Sequence, residues 1–273
     1  MQIFHAMAEL HGDRLIGPTP RTLRRPGVAQ LHDNLYVAPG SQARSASSVE
    51  QLHRRRNPRT FGERFCRLLR PPDPFVINPR EAIDAPLGRW NLYIGGGGCR
   101  TPGYVNIDLF ALPGVDVAAD AERLPFAAGV FQRVECDAVL EHVRCPESAM
   151  REIERVLAPG GYAHLVTPFC HPFHEYPMDF RRFTPDGLRL LAGSLEVVAE
   201  GWRTGPTATM LVFTLEYAKL LLPWRWWRVL AHGALGWLLF PFRYLDLALF
   251  RSARLERIGN HCYIWLRKRT PPI

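Results

Sequence analysis

Asn91-Leu92-Tyr93-Ile94-Gly95-Gly96-Gly97-Gly98 is the stretch on which the fold turns. A short apolar run opening into four glycines reads as a buried strand that ends in a turn. Glycine supplies positive φ there and lets a ligand approach the main chain closely. A glycine turn alone can simply reverse the chain, and the residues that follow narrow the reading. Cys99 to Tyr104 is a short link, Tyr104 to Ile107 is a second strand, and Asp108 stands at its end. A carboxylate at that place can accept hydrogen bonds from both hydroxyls of a ribose. The link is too short for a full crossover helix, whose N-terminus a pyrophosphate would need, and a dinucleotide fits poorly.

Outward from this turn, Trp90 to about Gly201 alternates short apolar runs with helical stretches, the pattern of a parallel sheet with crossover helices. Further strands are predicted at Val115 to Val117, Arg133 to Cys136, Tyr162 to Thr167 and Leu195 to Ala199. Cys262 to Leu266 is expected as a last strand, pairing with Leu195 to Ala199 at the sheet edge. One helix is well marked: Pro146 suits a first helical turn, Met150, Ile153 and Leu157 recur at helical spacing, and Pro159-Gly160-Gly161 ends it.

Four further features occur in order. They are Pro102 to Asp108, Ala119-Asp120-Ala121-Glu122-Arg123-Leu124-Pro125-Phe126, Cys136-Asp137-Ala138-Val139-Leu140-Glu141-His142-Val143, and Leu157-Ala158-Pro159-Gly160-Gly161. With them the chain resembles the class I S-adenosylmethionine-dependent methyltransferases, in particular a methyltransferase type 11-like subgroup with a shortened first loop, over about residues 90 to 201. The resemblance implies an α/β, Rossmann-like, seven-stranded and mostly parallel sheet with helices on both faces. It also implies S-adenosyl-L-methionine as cofactor. Gly95, Gly96 and Gly97 would leave room for its methionyl part, Asp108 would hold the ribose, Asp120 would accept from the adenine amino group, and Ala121 would present its N–H to the ring. Asp137 would meet the ammonium or sulfonium region. Tyr93 stands where the family often has an acidic residue and could supply a hydroxyl instead, while Gln132 replaces the aspartate that usually follows Phe131. Glu141 reads equally well as a carboxylate that braces its loop.

The acceptor side is expected after the fifth strand, where His171-Pro172-Phe173-His174-Glu175-Tyr176-Pro177 leads into Asp179-Phe180-Arg181-Arg182. Imidazole, with an unperturbed pKa of ~6.5, can take a proton from a hydroxyl or amine during methyl transfer. His142, His171 and His174 are therefore the catalytic candidates, with Tyr176 and Arg181 binding substrate. No metal site is expected, because adjacent His174 and Glu175 point apart on a regular element. The function these readings imply is methylation of a hydroxyl or amine on a small-molecule acceptor. The alternatives are a non-catalytic scaffold of the same fold and an RNA methyltransferase.

The flanks are different in character. Residues 1–85, rich in Pro, Arg and Ser, read as an irregular, loosely packed N-terminal arm, with a lid or a dimer contact as the functional alternative. Residues 86–273 read as the main domain, with a hydrophobic helical insertion at about 205–255. Within it, Pro223-Trp224-Arg225-Trp226-Trp227-Arg228 is followed by an uncharged run from Val229 to Phe242. That run is shorter than the ~20 residues a membrane span requires. Residues 215–255 are expected to be buried over a pocket or in a homo-oligomer contact, with peripheral membrane contact as the competing reading. The formal charge of +8 rests almost wholly on arginine, since Lys219 and Lys268 are the only lysines. No nucleic-acid motif accompanies it, and a nucleic-acid partner is not expected. Six scattered cysteines without metal-ligand spacing, and an N-terminus without a leader pattern, fit a cytoplasmic protein.

Overall fold

The computed structural model describes residues 36–37, 71–174, 178–252 and 257–270. Most of the N-terminal arm, and with it Tyr176 of the candidate substrate residues, lies outside the described residues. Strands β1 (Tyr36–Val37), β2 (Asn91–Ile94), β3 (Val105–Asp108), β4 (Val117–Ala118), β5 (Phe131–Asp137), β6 (Leu157–Pro168), β7 (Glu196–Thr204) and β8 (His261–Arg267) form one sheet. Their order is β1-β4-β3-β2-β5-β6-β8-β7. All pairings are parallel except those of β8, which runs antiparallel to both neighbours. This is the expected seven-stranded, mostly parallel sheet, with one two-residue strand from the arm added beside β4.

Chain direction sets the position of the site. From β2 the chain builds outward through β3 and β4, then returns to β5 on the other side of β2 and builds outward again. The carboxyl ends of β2 and β5 therefore form the switch point of the sheet, where connecting loops diverge and leave a crevice.

Two local outcomes differ from the sequence reading. The helix starting at Pro146, α1 (Pro146–Val156), stops one residue before Leu157, and strand β6 begins there. Pro159-Gly160-Gly161 lies inside that strand, where Gly160 takes φ 77° and the register against β5 slips, so the apolar residue at helical spacing belongs to the next element. The last strand does pair with the 196–204 segment but is interior, between β6 and β7, and β7 is the edge. Cys262, Tyr263, Ile264, Trp265 and Leu266 are all buried, as an apolar run covered on both faces should be. By contrast, Glu196, Val197 and Val198 of β7 are exposed.

The main core lies on one face of the sheet. Leu92, Ile94, Val134, Cys136, Leu165 and Ile264 pack there against Ala149, Met150, Ile153 and Val156 of α1 and Leu188 of α2 (Pro185–Leu191). Thr184 caps α2, accepting from the Gly187 N–H at 3.0 Å. On the opposite face a row of polar and aromatic residues, Tyr93, Glu135, His164 and Trp265, runs across in register. Residues 78–85 cover it: the Asn78 amide group donates to the Trp202 carbonyl at 2.9 Å, and the Trp265 indole donates to the Glu81 carbonyl at 2.8 Å.

The insertion consists of α3 (Pro206–Leu220), α4 (Arg225–Leu239) and α5 (Leu245–Leu249). Asp246 anchors it. This carboxylate is fully buried and accepts from the Thr207 and Ala208 amides at 2.8 and 3.0 Å, so a negative charge sits on the N-terminus of α3. Ala208, Leu211 and Leu215 face inward. The outer surface is apolar and, in the single chain, exposed, with Trp224, Trp226, Trp227, Leu230 and Leu238 each more than half accessible; it does not cover a pocket of this chain, and an oligomer or membrane contact stays open to it. Among the described residues no helix is long and apolar enough to cross a membrane.

Candidate active site

At the switch point the glycine turn is held by the acid that follows it. Asp108 Oδ2 accepts from the Gly97 N–H at 2.7 Å, and Oδ1 accepts from the Phe110 N–H at 3.0 Å. Gly95, Gly97 and Gly98 all take positive φ, at 77°, 55° and 81°. A Cβ on Gly95 would stand 2.2 Å from Cγ2 of Val139, and one on Gly96 would stand 2.9 Å from the Cys99 carbonyl oxygen. The turn therefore brings bare backbone to the crevice, against the loop that leaves β5. Ala138 in that loop takes φ 53°, a conformation costing a non-glycine residue about 1–2 kcal/mol.

The other predicted cofactor residues line the same edge. Asp120 follows β4 and accepts from the Glu122 N–H at 2.9 Å, which fixes the turn that carries Ala121. Helix α1 holds this segment from below: Glu152 accepts from the Leu124 amide at 2.7 Å, and Arg155 donates to the carbonyls of Leu124 and Phe126. Asp137 ends β5, 3.2 Å from the Arg203 guanidinium. Burial raises its carboxyl above the ordinary range, with Arg203 opposing. Tyr93 packs its ring edge-on to Tyr104, and burial, with Asp137 and Glu135 adding, raises its hydroxyl as well. Bare backbone, a carboxylate gripping the turn and a second carboxylate at the end of β5 suit a nucleoside ligand with a cationic tail. Arg203 bridges Asp137 and Glu81, at 3.2 and 2.8 Å.

A second group lies at the same carboxyl edge. His142 stands on the one-turn helix Leu140–His142, His171 and His174 follow β6, and His261 opens β8. The rings of His142 and His171 each lie 4.9 Å from that of His174, and His171 lies 5.3 Å from His261. All three predicted histidines thus meet. Glu141, fully buried, lies beneath them: its Oε1 is 3.6 Å from Nε2 of both His142 and His174. On the other side of His174, Asp179 Oδ2 lies 3.4 Å from Nδ1.

The charges in this group are ordered. Glu141 raises the His174 imidazole above its ordinary pKa against the cost of burial, with Asp179 adding. Burial lowers His171, and burial next to His171 and Arg203 pushes His261 down to about 3. Burial acts to raise Asp179, but Arg182 and the His174 amide override it and hold the carboxyl at about 2. Arg182 forks onto Asp179 at 2.6 Å and donates to the Pro172 carbonyl at 3.0 Å, tying down the histidine loop. Arg181, the predicted substrate residue, donates to the Arg144 carbonyl at 2.7 Å. The arm reaches here too, because the Phe75 ring lies 5.4 Å from His261 and 6.3 Å from His171.

Glu141, Asp179 and His261 complete the group and were not singled out as catalytic or binding residues, while Arg182, read with Arg181 as a residue for an acidic substrate, here holds Asp179. Asp179 and Arg182 carry a local signal, an acid and an arginine three residues apart. His261 carries none, since only the insertion of β8 beside β6 brings it to this edge.

Residues 106–165 match a family model described as a methyltransferase domain. They span β3 to most of β6, and so the crevice from Asp108 to Glu141. The chain thus carries, within a Rossmann-like sheet, a segment that matches a methyltransferase domain. Over 112 residues it is 33% identical to the demethylmenaquinone methyltransferases of Mycobacterium bovis and Mycobacterium tuberculosis, a match covering 37% of this chain and 47% of theirs. The chain therefore spans about half the length of these curated relatives. Among solved structures, the chain is similar to the [4+2]-cyclase SpnF, at 18% identity and TM-score 0.43 over 76% of this chain and 81% of that one. It is also similar to phosphoethanolamine N-methyltransferase 2 of Haemonchus contortus, at 13% identity and TM-score 0.42 over 67% of this chain and 49% of that one.

Proposed function

We propose that the protein transfers a methyl group from S-adenosylmethionine to a hydroxyl or amine of a small-molecule acceptor. The observation that carries this reading is the meeting of two groups at one sheet edge: a glycine turn gripped by Asp108, and a histidine cluster beyond β6. When bound, the cofactor supplies an electrophilic methyl on a sulfonium. Gly95, Gly96 and Gly97 leave room for its methionyl part, Asp108 receives the ribose hydroxyls, Asp120 and the Ala121 N–H receive the adenine, and Asp137 faces the cationic end. A carboxylate offers about four acceptor positions, so the clasp on the turn and the ribose do not compete for Asp108.

His171 takes the acceptor's proton. Its Nδ1 lies 2.9 Å from the Pro172 carbonyl oxygen, so that nitrogen carries the hydrogen and Nε2 keeps its lone pair. His142 and His174 orient the acceptor beside it, and residues 71–85 cover the site through Phe75. Replacing His171 with asparagine is expected to lower kcat by about 10²–10⁴-fold. Cofactor affinity should be unchanged. Labelled methyl transfer to a panel of alcohols and amines checks this, and an undiminished rate in the variant would leave orientation alone to His171.

The insertion contributes a second contact, with an anionic lipid surface. Its exposed tryptophans and leucines stand among Lys219, Arg228, Arg243 and Arg251, against only Glu216 and the buried Asp246. Aromatic and basic side chains together suit the headgroup boundary. The wild-type protein should sediment with anionic vesicles and less with neutral ones, and Trp226→Ala with Trp227→Ala should reduce this several-fold. Retention in the supernatant as a dimer would assign the surface to a second copy instead.

A further inference from the structure

We propose that Glu141, His142 and His174 bind one divalent transition-metal ion of the zinc or iron(II) class. The first observation is geometric. One ligand atom from each of the three residues lies within 4.8 Å of the others. Glu141 Oε1 is 3.6 Å from both imidazole Nε2 atoms. Ligands about 2.1 Å from a common ion lie about 3.0–3.5 Å apart in tetrahedral or octahedral arrangements. Drawing the three atoms together by less than the length of a bond makes the coordination sphere, and two histidines with one carboxylate are a known donor set for zinc and for iron(II).

The second observation is the state of the carboxylate. Glu141 is fully buried, and neither of its oxygens has a hydrogen-bond partner among the described residues. A buried carboxylate without hydrogen bonds is costly unless a cation compensates it. The two imidazole edges that face it are too far away to serve as hydrogen bonds and well placed to serve as co-ligands. The third observation lies behind the ligands. His142 Nδ1 donates to the Met178 carbonyl, and His174 Nδ1 faces Asp179, which Arg182 holds in turn. The carbonyl partner fixes the His142 tautomer that leaves Nε2 free for a metal, and the Asp179 carboxylate, 3.4 Å from His174 Nδ1, favours the same tautomer there once an ion holds Nε2.

The sequence reading expected no metal because it paired His174 with the adjacent Glu175. The carboxylate comes instead from Glu141, held beneath His174 where the Glu141 carbonyl accepts from the Phe180 N–H at 2.8 Å. His174 keeps about a third of its side chain accessible, which leaves a side of the ion open to an acceptor oxygen. That service to the acceptor rests on the methyl-transfer reading; the binding of the ion does not. In such a site the ion polarises the acceptor hydroxyl, whose proton passes to His171.

The test is titration of chelator-treated full-length protein with Co²⁺, followed by visible absorption and by displacement with Zn²⁺. One equivalent should bind with ligand-field bands, and Glu141→Gln and His174→Ala should each weaken it at least about 100-fold. His171→Asn should bind the ion as the wild type does. Absence of saturable one-equivalent binding in the wild type, or unchanged affinity in both ligand variants, would overturn the proposal. Thermal melts establish that the variants are folded, and the partly exposed His174 provides a substitution that spares the core. Calorimetry with S-adenosylmethionine on the same preparations separates the two proposals, since loss of metal binding with cofactor binding intact overturns only the metal site.

Discussion

Replacing Asp108 with alanine should weaken S-adenosylmethionine binding by at least about 100-fold. Two charge-assisted hydrogen bonds to the ribose, each contributing about 1.5 kcal/mol or more, account for that loss at about 1.4 kcal/mol per tenfold. The variant also releases the Gly97 and Phe110 amides, so the turn itself loses its clasp. Asp108→Asn keeps one carbonyl oxygen and should fall between the two. Calorimetry on variants that melt normally measures this, and an alanine variant within about threefold of the wild type would remove Asp108 from the cofactor site.

The second large effect is on stability. His164 lies on the covered face of the sheet, stacked on Trp265 at 4.1 Å, with Nδ1 2.7 Å from Glu135 and Nε2 3.0 Å from Glu81. Burial opposes its charge, but the two carboxylates prevail and raise its pKa above the ordinary value. The charged histidine therefore stabilises the fold fully below its unfolded pKa of ~6.5, and the contribution is lost as pH rises through the higher folded value. His164→Gln leaves two buried carboxylates with less compensation and should cost about 3–5 kcal/mol at pH ~6. The gap should narrow in alkali, where the wild type loses the same charge. Urea denaturation at acidic and alkaline pH checks both statements, and equal midpoints on the acidic side would contradict them.

The parts of the fold legible in sequence were those carried by local pattern. Asn91 to Ile94 running into glycine, Asp108 at the end of the next strand, and the apolar spacing of Met150 and Ile153 all report on their own neighbourhoods. Long-range placement was less legible. Whether Cys262 to Leu266 lies inside the sheet or at its edge depends on which strand it finds, although its unbroken burial follows from five apolar residues in succession. Leu157 fits helical spacing equally as the last residue of a helix or the first of a strand, and the glycines after it permit the irregular start of β6. The histidines were read correctly as a group because each follows a strand at one edge. Their partners were missed because Glu141 looked structural and His261 arrives from the far end of the chain. Composition marked the insertion as a contact-forming segment without orienting it: its inward contacts come from Ala208, Leu211, Leu215 and the Asp246 anchor, while its tryptophans face out.

These elements form one functional arrangement. The switch point between β2 and β5 brings bare backbone and carboxylates together, the set that the proposed reading gives to a nucleoside, and the segment after β6 brings the imidazoles to the same edge. Behind them, Arg203 contacts both Glu81, which is paired with His164, and Asp137, and so ties the covered row to the end of β5. Substitutions at His164 should therefore be read for cofactor affinity as well as for stability.

The most direct test of the central claim is calorimetric titration of the purified wild-type protein with S-adenosylmethionine, repeated with S-adenosylhomocysteine. Saturable binding of one equivalent of each, weakened in Asp108→Ala, is the expected result. Absence of binding by a folded wild-type protein at millimolar ligand would contradict the methyltransferase reading.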